Sequence, residues 1–134
     1  MLGRKKLNLY VNLSVLRKED GMNIQIFGKS KCFDTKKAER YFKERRIKYQ
    51  MIDLRKHGMS LGEYKSVKTA VGSMSRLMDE HSREYEENYV KYLSDEVDKE
   101  EKLLEHQGMF QTPIVRNGRQ ATVGYQPDIW KDWV

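Results

Sequence analysis

Thiol chemistry is scarce in this chain: among 134 residues the one cysteine is Cys32. A lone cysteine excludes an internal disulfide framework and a self-contained CxxC oxidoreductase, and it fits a reducing, cytoplasmic setting. Long hydrophobic runs are missing as well. No stretch of about 18 uninterrupted apolar residues occurs, so no membrane span is expected. His57, His81 and His106 stand without HxxxH or Cys/His ligand spacing, so no metal site is expected. A P-loop, a GxGxxG turn and a defensible Ser/His/Asp arrangement are also absent.

What is present reads as one folded domain. The length suits a single core and is short for two. Charged residues make up 34% of the chain and mean hydropathy is −0.86, yet 10% of residues are aromatic and the apolar ones fall in periodic blocks. Net charge is +6, which raises the question of nucleic acid. Half of that excess lies in residues 1–21, where Arg4, Lys5, Lys6, Arg17 and Lys18 face only Glu19 and Asp20. The remainder is modest and no recognition-helix motif accompanies it, so direct DNA binding is not expected.

Residues 1–21 form an extension of separate status. Leu7, Leu9, Val11, Leu13 and Val15 alternate with polar residues in strand fashion, while Asn8 and Asn12 interrupt what would otherwise be a secretory apolar core. Met22 reads as the natural start, because Arg17–Asp20 can be written in purine-rich codons like those of a ribosome-binding site. The domain is therefore placed at residues 22–134.

From Met22 the order is regular. "MNIQIF" is an apolar strand and "GKSK" a cationic loop. A helix follows in which Ala38, Tyr41 and Phe42 recur at three- and four-residue spacing, with Asp34 or Thr35 as its cap. "RRIKYQMIDL" is a second strand, parallel to the first across a βαβ unit. Ser60–Glu63 is a capping box and Gly72 a helix stop. Residues 73–107 predict two or more helices, broken near "LSDE", with Ser94 or Asp95 capping the second. Their charges read as a solvated face or, failing that, a docking surface. Asn117-Gly118 predicts a two-residue hairpin turn. Pro127 opens a terminal helix whose stripe of Ile129, Trp130 and Trp133 is assigned to the core.

Cys32 sits between strand and helix, where free N–H groups and the helix dipole favour a thiolate, and Lys29 and Lys31 add positive potential. The competing reading is a small buried apolar residue. The polar neighbours Lys31, Asp34 and Thr35 count against deep burial.

"IFGKSKCFDTKKAERYFKERRIKYQMIDL" together with "TPIVRNGRQATVGYQP" resembles the ArsC-type arsenate reductase family, which also includes Spx-type transcription regulators. The resemblance covers Met22–Val134. It implies an α/β thioredoxin-like fold: a mixed four-stranded sheet with helices and a helical insertion between the second and third strands. It implies that Cys32 is the active-site cysteine, that Thr35 and Lys36 join Lys29 and Lys31 around the thiolate or a bound anion, and that Thr112 and a cis Pro113 position the substrate.

Arsenate-reducing members hold the oxyanion with three arginines, two of which precede prolines. Here those positions carry Thr112 and Gln126, and the third falls near Asp79, with Arg76 and Arg83 beside it. An oxyanion needs several convergent donors, so arsenate is disfavoured. The expected activity is that of a glutaredoxin-like monothiol oxidoreductase with no bound cofactor, resolved by glutathione, another small thiol or a glutaredoxin-like protein. The alternative is a Spx-like regulator that binds the RNA polymerase α-subunit. Thr35 stands where a CxxC switch would place its second cysteine.

Overall fold

A computed structural model describes residues 23–133; the extension and its boundary at Met22 lie outside them. Four strands, β1 (Ile24–Gly28), β2 (Tyr49–Asp53), β3 (Ile114–Asn117) and β4 (Gln120–Val123), form one sheet in the order β2-β1-β3-β4. β1 runs parallel to β2 and antiparallel to β3, and β3 pairs antiparallel with β4. The expected mixed sheet is therefore present. All of β1 is buried, as a central strand covered on both faces must be. Its one polar side chain, Gln25, is satisfied: it donates to Gln50 (3.3 Å) and Glu63 (3.1 Å) and accepts from Arg116 (2.6 Å).

Helix α1 (Phe33–Glu44) crosses one face of the sheet. Ala38, Tyr41 and Phe42 pack there with Ile24, Ile26, Val115 and Trp130. The Tyr41 and Phe42 rings each lie 5.2 Å from the Trp130 ring. Such pairs are worth about 0.5–1.5 kcal/mol each beyond area burial. They hold α1, and Cys32 at its start, in register with the sheet.

The opposite face carries the insertion between β2 and β3. Helix α2 (Leu61–Val71) starts at the expected capping box and stops at Gly72, whose φ is +108°. Helices α3 (Arg83–Glu87) and α4 (Glu96–Glu105) follow, α4 capped by Asp95, which accepts from the N–H of Val97. Between α2 and α4 the chain is more broken than periodicity suggested, with 3-10 turns at Met74–Leu77 and Val90–Tyr92. The backbone is drawn extended near Asp79, whose N–H donates to the Met109 carbonyl (2.7 Å) while Gln111 N–H donates to Leu77 (2.7 Å).

Three local expectations need correction. The helix cap is neither Asp34 nor Thr35 but Cys32, with no side-chain cap bond. The hairpin loop is Gly118-Arg119 with Gly118 at φ +60°, because Asn117 pairs with Gln120 in the ladder and its side chain accepts from Asn23 N–H. Of the terminal stripe, shared between helix α5 (Pro127–Trp130) and a 3-10 turn at Lys131–Trp133, Trp130 is fully buried and Trp133 packs partly, but Ile129 is 45% exposed. A helix this short turns only one residue squarely inward.

Candidate active site

Cys32 enters α1 from an extended conformation (φ −86°, ψ 118°), and its N–H donates back to the Lys29 carbonyl at 3.1 Å. No side chain caps the first turn, so the leading N–H groups remain available to the sulfur. The thiol is half-buried. In its neutral form Sγ donates to the Thr112 carbonyl at 3.6 Å, directly before the Thr112-Pro113 peptide bond, which is cis.

Thr35 is the closest-fitting part of the arrangement. It is 2% exposed, and its buried Oγ1 has no hydrogen-bond partner. Gly28 makes room for it: a Cβ there would overlap the Thr35 methyl and stand 2.7 Å from its hydroxyl. The end of β1 and the start of α1 are thereby brought into contact.

Burial works against the thiolate. The hydroxyls of Thr112 and Thr35, with the N–H groups of Thr35 and Asp34, outweigh it and hold the Cys32 thiol below its ordinary range. Thr112 thus faces the sulfur with a carbonyl that accepts from the thiol and a hydroxyl that supports the thiolate.

Lys29 is buried at the end of β1. Burial first, and then the positive Arg55, lower its pKa, while Asp79, Glu84 and Cys32 act in the opposite direction. Lys31 and Lys36 are exposed; the Lys36 N–H donates to the Cys32 carbonyl at 3.3 Å, as part of the helix. Of the residues around the expected third anion contact, Arg76 donates to the Val71 carbonyl (2.9 Å), and Arg83 lies near Glu84 and Glu87. Gln126 is exposed and donates to the Val123 carbonyl at 3.1 Å.

Sequence reasoning missed a charged group beside Lys29. Arg55 makes a two-pronged bond to Glu84 (2.7 and 3.0 Å), which holds the Glu84 carboxyl down at about 2 against the cost of burial. Parallel pairing of Gly28 with Asp53 puts Lys29 and Arg55 at one sheet edge, and that much could have been read from the βαβ unit. Nothing in the sequence pointed to Glu84, which arrives from the insertion. The cavity of about 350 Å³ next to this ion pair is lined by Arg55, His57, Glu84, His106 and Gln107 and does not include Cys32. Among the described residues no group of three or more His, Cys, Asp or Glu side chains could hold a metal, and no helix is long and apolar enough to cross a membrane.

No curated protein matches the sequence. Among solved structures, an ArsC-family-related protein from Bacteroides fragilis superposes with a TM-score of 0.74 at 18% identity, over 85% of this chain and 99% of that one. An arsenate reductase from Vibrio cholerae gives 0.70 at 22% identity, over 84% and 98%. A Staphylococcus aureus protein gives 0.62 at 25% identity, over 81% and 96%. These likenesses carry the thioredoxin-like α/β fold. The profile of the ArsC family matches residues 27–133, and with the sheet, the insertion and Cys32 at the head of α1 in place, this chain belongs to the ArsC family.

Proposed function

We propose that the protein is a glutaredoxin-like monothiol oxidoreductase in which Cys32 is the nucleophile. The observation that carries this reading is the sulfur's position at an uncapped helix start, half-exposed, with the Thr35 and Thr112 hydroxyls turned to its charged form. The thiolate attacks one sulfur of a substrate disulfide. A new S–S bond forms to Cys32 as the old one breaks, and the departing thiolate takes up a proton. With one cysteine in the chain, the mixed disulfide is opened by an external thiol such as glutathione or a glutaredoxin-like protein. A second equivalent then restores Cys32 and leaves as the oxidised disulfide.

The backbone at Thr112-Pro113 positions the substrate sulfur over Cys32. Lys29, buried after β1 and coupled electrostatically to Cys32, supplies positive charge, while Lys31 and Lys36 lie exposed at the surface. Arsenate is a poor fit, because Thr112 and Gln126 offer neutral groups where arginines would neutralise an oxyanion.

The test compares the wild-type chain with Cys32→Ser. Incubation with oxidised glutathione should yield one glutathionyl adduct by intact mass, absent in the variant, and thiol–disulfide turnover should vanish with it. Full turnover by Cys32→Ser would end the proposal. Capture of the RNA polymerase α-subunit by both forms, with no adduct in either, would turn the assignment to a Spx-like regulator.

A further inference from the structure

The first residue after the thiol is Phe33, which is 77% exposed. A phenyl ring left in water at the head of a helix contributes little to folding, and aromatic side chains, Phe among them, are enriched at protein interfaces. One turn on, the Lys37 ammonium lies 5.9 Å from the Phe33 ring centre and 5.5 Å from that of Tyr125. Tyr125 is 39% exposed and rests edge-on against Trp130 at 5.6 Å. It follows Gly124, whose N–H donates to the Pro113 carbonyl at 2.8 Å. The rings and the cation between them therefore join the two segments that flank Cys32, α1 and the Pro113 loop. An ammonium over two rings is held by cation–π attraction.

The same face of α1 continues the charge. Lys36, Lys37 and Arg40, spaced three, four and seven residues from Phe33, are all exposed, as is Lys31 before the thiol. The one acid of the first turn, Asp34, is half-buried. An inorganic oxyanion has no apolar surface for Phe33 to cover. The cationic patch calls for a partner with carboxylates.

We infer that the disulfide attacked by Cys32 is carried on an acidic polypeptide, which docks on Phe33, Lys37 and Tyr125 with its cysteine sulfur over Cys32. This rests on the monothiol reading above and names its substrate class. In the step, Cys32 Sγ bonds to the polypeptide's sulfur, the substrate S–S bond breaks, and the released thiolate is protonated by solvent. A thiol of the glutathione class then attacks the Cys32 sulfur and releases the polypeptide thiol, and a second equivalent attacks the resulting adduct, restoring Cys32 and leaving as the symmetric disulfide.

Two peptides test this, identical except that one flanks its cysteine with glutamates and the other with lysines, each joined as a disulfide to 2-mercaptoethanol. Hydroxyethyl disulfide serves as the small neutral reference. Single-turnover rates of mercaptoethanol release are followed by chromatography. At low salt the acidic peptide should react at least about tenfold faster than the basic one, within the range of electrostatic steering, and the gap should shrink in 0.5 M NaCl. In Phe33→Ala and in Lys37→Gln, the ratio of acidic-peptide to hydroxyethyl-disulfide rates should fall severalfold, while Lys102→Gln on α4 leaves that ratio unchanged. Equal peptide rates, a faster basic peptide, or ratios unmoved by both surface variants overturn the inference, and reaction with hydroxyethyl disulfide then leaves the monothiol reading standing. No reaction with any disulfide removes both.

Discussion

Replacing Thr35 by valine deletes one hydroxyl and keeps the side chain's shape, at a position that is 2% exposed and whose Oγ1 has no hydrogen-bond partner. Two opposite effects follow from one atom. With the thiol neutral, the wild-type chain buries an unsatisfied hydroxyl, a cost of about 1–3 kcal/mol that a methyl group avoids. With the thiolate formed, the hydroxyl donates to sulfur and supports the charge. Hydrogen bonds to charged groups are worth about 1.5–3 kcal/mol, and the lower end suits a half-exposed sulfur that keeps its other donors. About 1.4 kcal/mol corresponds to a tenfold lower thiolate fraction at a fixed pH below the thiol pKa.

Linkage sets the sign of the pH dependence. A folded-state thiol pKa below the unfolded value contributes stability that is full above the unfolded pKa and lost as pH falls through the folded one. Thr35→Val should therefore be the more stable form in acid, and its advantage should shrink or reverse as pH rises toward the ordinary thiol range. Iodoacetamide alkylation rates against pH report the thiolate, and urea unfolding at two pH values reports stability. An unchanged alkylation profile together with a loss of stability at acid pH would refute the assignment of the Thr35 hydroxyl to the sulfur.

Three further outcomes are expected. Gly28→Ala should force Thr35 and the start of α1 away from β1, costing about 1–3 kcal/mol by urea unfolding and slowing alkylation of Cys32; wild-type behaviour in both would show the contact to be slack. The Arg55–Glu84 pair lowers the Glu84 pKa to about 2, so its stabilisation is complete above the ordinary carboxyl value of 4.5 and drains as pH falls toward 2. With Arg55 41% exposed, the contribution discounts to about 1–2 kcal/mol, and the difference between wild type and Glu84→Gln should vanish at the acid end. Ser60→Ala removes the hydroxyl that accepts from the Glu63 N–H at 3.1 Å and should cost about 1 kcal/mol of stability, with Cys32 alkylation unchanged because α2 lies on the other face; a shift in the alkylation rate would contradict that separation of the two faces.

Signals carried by neighbouring residues were legible in the sequence. The apolar run around Ile24 and Ile26, three- and four-residue spacing of Ala38, Tyr41 and Phe42, the capping box at Ser60, and Gly72 as a stop each depend on a few adjacent positions. Cys32 at a strand-to-helix junction belongs to the same class, since a helix start carries its free N–H groups wherever it is packed. What required the tertiary structure was everything that meets across long separations. Thr112 reaches Cys32 from 80 positions away, Glu84 reaches Arg55 from 29, and Lys37 meets Tyr125 from the loop that follows β4. The helix cap shows the boundary between the two. Local chemistry offered Asp34 and Thr35, but packing of Thr35 against Gly28 buries the hydroxyl that would have capped, near a sulfur whose thiolate it favours.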